Sequence, residues 1–249
     1  MAAPAQAHEA HHAAIASEGM LVVEAEDFAG QYLDEIRRWY RVAADSLPEV
    51  TPDADPPHLE GASGGAYLEA LPDTRQTHGD TITPGINFAP APGKMAILTY
   101  PVVIEEPGRY YVWARIYSTG SEDNGLHVGI NGTWPESGQR LQWIAKRQWK
   151  WRSAQRTPEK HVGVPGQIWL DIEEPGVHLI HFSMREDGTE FDKWLMTLTK
   201  DMPEPEGTGP AASPREHLNS GGLEKLEALK AKLADHVEMT TREAAAKAE

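Results

Sequence analysis

The stretch "EEPGRYYVWARIYS", Glu105 to Ser118, decides the fold. Pro107 and Gly108 interrupt whatever precedes them, and a run rich in aromatic and β-branched residues follows. In an extended chain, Tyr111, Trp113 and Arg115 share one face, while Tyr110, Val112, Ala114 and Ile116 share the other. The same "EEPG" returns at Glu173–Gly176, ahead of "VHLIHFSM". Two such openings predict two similarly placed core strands, not a solenoid repeat.

Working outward, "LVVEAEDF", "MAILTYPVVI", "GLHVGI", "QIWLDIE" and "FDKWLMTL" read as further strands. "DNG" at 123–125, "NG" at 131–132 and "EDG" at 186–188 supply turns between them. Many short strands at this spacing predict an all-β, jelly-roll β-sandwich. The domain plan is a disordered leader (1–19), a sandwich (20–200), a Pro/Gly/Glu-rich linker (201–222) and a helical tail (223–249). After the first strand comes a long insertion, Gly30 to Gly65. Its first half is predicted to be a short helix and its second half a loop, the kind of loop that often carries function. In the tail, Leu223, Leu226, Leu229, Leu233 and Val237 form one apolar stripe on a charged helix. That stripe would dock on the sandwich or, through residues 223–240, pair with a second copy or a partner. The closing "EAAAK" resembles a designed helical spacer.

Net charge is -15 with 40% hydrophobic residues and no cysteine. Lacking a concentrated basic block, the chain is not expected to bind nucleic acid. No apolar run reaches membrane-spanning length, so no membrane partner is expected. Disulfides and thiolate chemistry are excluded. "APAQA" near the start resembles the surroundings of a signal cleavage site, which predicts a secreted or periplasmic protein. His8, His11 and His12 read as part of the Ala/His leader and not as a metal cluster.

Three constellations could carry chemistry. Glu24 and Glu26, two apart on a strand, point to one face, and paired carboxylates require water or a cation such as calcium; Asp192, near the last strand, would close the cage. "RLQWIAKRQWKWRSAQR" sets Trp143, Trp149 and Trp151 among cations, and indole faces stack on sugar rings. Trp113, Trp169 and Trp194 read as core, whereas Trp39, Trp134 and Trp149 stand among polar loop residues. The region Ser118–Arg140 crowds Glu122, Asp123, Asn124, His127, Asn131, Glu136, Ser137 and Arg140 into a hairpin. Ser137, His127 and Asp123 would make a triad on paper, without a nucleophile-elbow motif.

In order along the chain, "VVEAEDF", "EEPGRYYVWARIYS", "WKWRSA" and "PGVHLIHFSMREDGTEFDKWLMT" resemble the carbohydrate-binding modules of families 6 and 35 and related galactose-binding-like β-sandwiches. The resemblance covers roughly residues 20–200 and points to a secreted bacterial system acting on polysaccharides. It implies a structural calcium at Glu24, Glu26 and Asp192. It also implies a sugar site in loops at one end, carried here by Trp39 or Tyr40, Trp149 and a residue among Arg185, Glu186 and Asp187. Asn124, Trp134, Glu136 and Arg140 join these as candidate ligand contacts. The chain departs from the pattern in its long first loop and in "REDGTEF", which replaces the usual binding asparagine.

The function expected is therefore non-catalytic binding of a polysaccharide or oligosaccharide on a calcium-stabilised sandwich. A polysaccharide-active enzyme, such as a glycoside hydrolase using two carboxylates among Glu122, Asp123, Glu136, Glu186 and Asp187, is the alternative. A scaffold that pairs through the C-terminal helix is the third. Arg140, Lys146, Arg147, Lys150 and Arg152 around the tryptophans keep a sulfated or uronic-acid glycan open as ligand.

Overall fold

The structure is a computed structural model that describes residues 11–53 and 55–248. The early strands are β1 (His12–Ile15), β2 (Met20–Glu24), β3 (Gly30–Tyr32), β4 (Arg38–Ala43), β5 (Ala66–Leu71) and β6 (Ile97–Ile104). Next come β7 (Gly108–Tyr117), β8 (Gly125–Ile130), β9 (Leu141–Gln142), β10 (Trp149–Arg152), β11 (Ala154–Gln155) and β12 (Val164–Pro165). Then follow β13 (Trp169–Ile172), β14 (Gly176–Met184), β15 (Glu190–Thr197), β16 (Arg215–His217) and helix α1 (Ser220–Ala248). Sheet 1 runs β12-β11-β9-β8-β14-β6-β1-β16, with β3 also on β6; sheet 2 runs β10-β7-β15-β5-β4, with β13 on β7 and β2 on β15. The chain alternates between sheets at β5–β6–β7–β8 and again at β14–β15, which makes it a jelly-roll sandwich.

The alternation read in β7 sets the core. Tyr110, Val112, Ala114 and Ile116 point inward and are fully buried, while Trp113 lies half-buried on the outer face. Trp194 is core, as expected. Trp169 is half-buried and carries the Arg109 guanidinium over its ring at 4.6 Å. Between the sheets Phe182 meets Phe191 and Trp194 at ring separations of 4.9 and 5.2 Å, and Tyr100 meets Trp194 edge-on at 5.2 Å. These aromatic contacts add directional packing to the burial of apolar area.

Several boundaries differ from the sequence expectation. Of the leader, residues 1–10, including His8, lie outside the described residues. His12–Ile15, however, is a strand and not disordered: β1 pairs parallel with β6 and antiparallel with β16. Its small Ala13 fits beneath the helix in a cluster with Val177, Leu179, Leu218, Leu226 and Leu229. The expected linker is strapped down and contains β16. Met202 packs with Trp113 and Trp151 on the outer face of sheet 2. Trp151 Nε1 donates to Gly207 O at 3.2 Å, and the Gly209 Cα sits so close to that indole that a Cβ would lie 2.6 Å from it. The first half of the insertion forms β3 and β4, not a helix, because β4 pairs with β5 in full register from Arg38↔Leu71 to Ala43↔Ala66.

The helical tail exists, with its start at Ser220 instead of 223. Asn219 Oδ1 accepts from Gly222 N at 2.9 Å, the cap that a helix beginning Ser-Gly-Gly needs. Leu226, Leu229 and Leu233 are buried at 0%, 2% and 0% exposure. Lys94 bonds Glu243 at 2.8 Å, and His236 Nε2 donates to Gly93 O at 2.8 Å. The apolar stripe is thus covered by the protein's own sheet 1. Leu226→Ala should lower stability by about 2–5 kcal/mol in chemical denaturation. A change near zero would mean that the helix does not dock.

Candidate functional site

Strand register lines up one row across the outer face of sheet 2. Tyr40 lies opposite Glu69, Glu69 opposite Glu190, Glu190 opposite Tyr117, and Tyr117 opposite Trp149. Residues paired in this way share a face. Later in the insertion, His58 and Gly61 lie over this row. His58 stacks on Tyr117 at 3.8 Å, and its Nδ1 meets Glu190 Oε1 at 2.6 Å. The His58 backbone N–H donates to the Tyr67 hydroxyl at 3.1 Å, and Trp149 Nε1 donates to His58 O at 3.1 Å. Burial, then the charge of Glu190 and of the insertion's Asp53 and Asp55, pushes the Glu69 carboxyl well up; burial, then the charges of Asp55, Asp123 and Asp53, does the same to Glu190. Burial pulls the His58 imidazole down. Glu190 Oε2 is buried without a hydrogen-bond partner.

Beside this row stand Glu24, Glu26 and Asp192. Both Asp192 oxygens are engaged: Arg115 Nη1 donates to Oδ2 at 2.5 Å and the Ser63 amide to Oδ1 at 2.7 Å. Glu24 Oε1 takes Lys193 Nζ at 2.8 Å and the Ser63 hydroxyl at 3.0 Å. Glu24 Oε2 and Glu26 Oε2 are buried and without partners. Burial, followed by the charges of Glu24, Asp192 and Asp27, pushes Glu26 up to about 8. Among the described residues no three acidic or histidine side chains converge as a metal cage. The donor chemistry still suits a hard cation at Glu24 and Glu26, whose free oxygens are carboxylate oxygens.

The loop end of the sandwich is filled by charge pairs. Asp187 Oδ2 accepts from Arg37 Nε and Nη2 and from the Thr74 amide and hydroxyl, at 2.7–3.1 Å. Arg185 bonds Glu186, whose Oε2 accepts from Asn124 N at 3.0 Å. Asn124 Oδ1 in turn takes the Gln142 amide. Arg185, Glu186 and Asp187 are exposed by only 7%, 5% and 0%, so they form a sealed network and not an open rim. Trp39 is also core, with no exposed surface and its Nε1 donating to Ala96 O at 2.8 Å. Trp134 lies against His181 and His236 under α1, away from the Trp149 end. Glu136 is exposed and paired with Arg140. No triad forms from Ser137, His127 and Asp123. Ser137 donates to Trp169 O, His127 accepts at Nδ1 from Arg140 N, and Asp123 binds Ser118 with the Thr119 and Gly120 amides.

Of the predicted ligand residues, Tyr40 and Trp149 share the row, and only Trp149 also borders a groove. This groove, of about 430 Å³, lies between β10 and the strapped segment, lined by Gln148, Trp149, Lys150, Trp151, Glu204 and Glu206 with Pro205 and Gly207. Lys150 Nζ meets Glu204 Oε1 at 2.6 Å across it. Sequence reasoning missed His58, Tyr67, Glu69, Tyr117 and Glu190. Only the register of five strands and the path of the insertion bring them together.

No family model matches the chain. An uncharacterized protein P23 of Formosa agariphila is 51% identical over 185 residues, which is 74% of this chain and 45% of that protein. The chain thus spans less than half the length of this relative. Among solved structures, a family 35 carbohydrate-binding module from Clostridium thermocellum has a TM-score of 0.38 at 12% identity, covering 71% of this chain and 96% of that one. A GH26-CBM35 β-(1,4)-mannanase of Podospora anserina gives 0.40 at 14%, covering 76% and 29%. The C-terminal CBM6 of LamC from Zobellia galactanivorans gives 0.35 at 11%, covering 72% and 98%. In fold, the chain is similar to family 35 and family 6 carbohydrate-binding modules.

His127 gives a pH signature. It has no exposed surface, and burial, followed by the nearby Arg185 and Arg140 charges, pulls its imidazole from 6.5 down to about 3. A lowered pKa means that the unfolded chain binds the proton first. The stability contribution is therefore full above about pH 6.5 and lost as pH falls toward about 3. Against His127→Gln, wild type should lose up to ~1.4 kcal/mol more per pH unit in that window. Parallel pH profiles for the two proteins would contradict the buried neutral imidazole.

Proposed function

We propose that the chain binds a polysaccharide or oligosaccharide at the β10 groove and does so without catalysis. The observation that carries this reading is Trp149. Its indole is half-buried, held edge-on by Tyr67 and Tyr117 at 5.1 and 5.5 Å, and anchored through Nε1 to His58 O. The rest of the ring borders the groove, among an amide and three charged side chains. A fixed aromatic edge flanked by hydrogen-bonding groups is what a sugar ring requires. The fold likeness to carbohydrate-binding modules agrees with this reading. A polysaccharide ligand would place the protein outside the cytoplasm, secreted or periplasmic.

Calcium is the second part of the proposal. Glu24 and Glu26 would hold it with their partnerless oxygens, and Asp192, fixed by Arg115, would lend charge from the side. Calcium there would neutralise like charges that now oppose one another. The second functional reading, a glycoside hydrolase, is favoured by one feature. Glu69 and Glu190 stand directly opposite on neighbouring strands, and hydrolysis requires two carboxyl groups at a defined separation. The insertion lies over them, which favours binding over catalysis.

Affinity electrophoresis against a polysaccharide panel tests the binding reading. Trp149→Ala should abolish retardation of a bound polymer, a loss of at least tenfold in affinity. Binding that survives this change would move the site elsewhere. Release of reducing ends, stopped by Glu190→Gln, would replace binding with hydrolysis. For the metal, chelation should lower the melting midpoint by a few degrees, about 1–2 kcal/mol in a domain of this size, and calcium should restore it. An unchanged midpoint would remove calcium from the account.

A further inference from the structure

We propose that the ligand of this groove is an anionic polysaccharide, one bearing sulfate or uronate groups, and that the cations of residues 140–160 recognise its charge. This inference rests on the carbohydrate reading above and specifies its ligand. In a chain of net charge -15, this stretch holds seven of the 23 Lys and Arg residues and one of the 38 acidic residues, Glu159. The positive charge is therefore concentrated on the stretch that supplies one wall of the groove, Gln148 to Trp151, while Glu204 and Glu206 stand on the other wall.

Pairing sets the stretch apart more sharply than counting does. Elsewhere the described cations mostly meet a carboxylate, as in Arg37–Asp187, Arg75–Glu122, Arg109–Asp171, Arg115–Asp192 and Lys193–Glu24. Within 140–160, among the described residues, only Arg140, with Glu136, and Lys150, with Glu204, do so. Lys146 reaches one hydroxyl, Ser121 Oγ at 3.3 Å. Arg152 and Arg156 donate to backbone carbonyls, those of Val162 and His161. The Arg147 and Lys160 side chains have no partner among the described residues, and both are exposed. Burial, together with the charge of Arg185, makes Arg156 a less comfortable cation than a free arginine. A bound anion would relieve that.

The stretch runs through strands at the ends of both sheets. β10 is the outer strand of sheet 2, and β11 and β12 close the same edge of sheet 1, so the chain carries its cations along one side of the sandwich. An extended strand advances about 3.3 Å per residue, which sets Lys150 and Arg152 about 7 Å apart on one face. Arg140 and Arg147 both hold φ near +57°, at 57° and 56°, where glycine would be unstrained. Guanidinium forks match carboxylate and sulfate oxygens in pairs. A stretch of cations of which most meet no carboxylate, running through the strand that carries a fixed indole, suits a charged polymer better than a single small anion. With the rest of the surface acidic, duplex DNA would be repelled from either side of the stretch.

The test uses the whole chain with chondroitin sulfate, polygalacturonate, a neutral β-glucan and duplex DNA, in titration calorimetry and affinity electrophoresis. Either acidic glycan should bind, with affinity falling at least tenfold as salt rises from about 0.05 to about 0.5 M. Lys146→Gln with Arg147→Gln should weaken binding about tenfold and flatten the salt dependence. Both side chains are exposed, so an unchanged melting midpoint verifies the fold. Arg156→Gln with Lys160→Gln is the second variant, at the far end of the stretch. Salt-independent binding of the neutral glucan alone would overturn the anionic ligand and leave the carbohydrate reading standing. No binding to any glycan would overturn both, and DNA binding as tightly as the acidic glycans would overturn the glycan specificity.

Discussion

One carboxylate oxygen organises the loop end of this protein. Asp187 has no exposed surface, and a charge so placed is tolerated only with hydrogen bonds directed at it. Its Oδ2 receives four, two from Arg37 and two from Thr74. Those donors stand on the β3–β4 and β5–β6 connections, so one residue of the β14–β15 turn holds three loops together. Gly188, at φ +70°, makes the close approach feasible, since a Cβ there would sit 2.7 Å from Asp73 Cγ. Burial and the adjacent Asp187 push the Asp73 carboxyl up to about 7. The loop end of the sandwich is closed by its own charges.

That closure has a consequence for the rest of the surface. The protein pairs charges internally at the loop end, through Arg185 with Glu186, and beside the insertion, through Arg115 with Asp192 and Lys193 with Glu24. His58 and Gly61 of the insertion cover Glu190, Tyr117 and Trp149 of the row. At the β10 edge Lys150 meets Glu204, while the neighbouring Lys146 and Arg152 side chains meet a hydroxyl and a backbone carbonyl and no carboxylate. An exposed edge invites pairing with other strands, and lysine and arginine along it discourage that. The same cations that keep the edge from aggregating are free to meet a ligand.

Much of the fold was legible because strand alternation is a local signal. β7 announced its inward face through Tyr110, Val112, Ala114 and Ile116, and α1 announced its stripe through Leu226, Leu229 and Leu233. Non-local placement was not legible. β4 carries Ile36, Trp39, Tyr40 and Val42 nearby at spacings that suit a helix as well as a strand, and only pairing with β5 decides between them. β1 is short and alanine-rich, with nothing in its sequence to reveal that it sits between β6 and β16 under a helix. The site was half legible: Trp149 and Tyr40 stood out as aromatics among polar residues. Glu69, Glu190 and His58 lie far apart in sequence and meet only through register. Arg185, Glu186 and Asp187 looked exposed because charges usually are, and pairing is what reversed that.

Trp149 joins the covered row to the open edge. Its Nε1 bonds the carbonyl of His58, the residue that also stacks on Tyr117 and contacts Glu190. The Arg115 guanidinium lies 5.4 Å from the Trp149 ring and donates from Nη2 to Gly61 O, farther along the same insertion. One indole therefore touches the insertion, Tyr67 and Tyr117 beneath it, and the groove together. A ligand that stacks on its outer edge would press on a ring already fixed from three sides and would meet little rotational freedom to remove. The long insertion, which covers a face that could have bound ligand, is also what holds the remaining aromatic rigid.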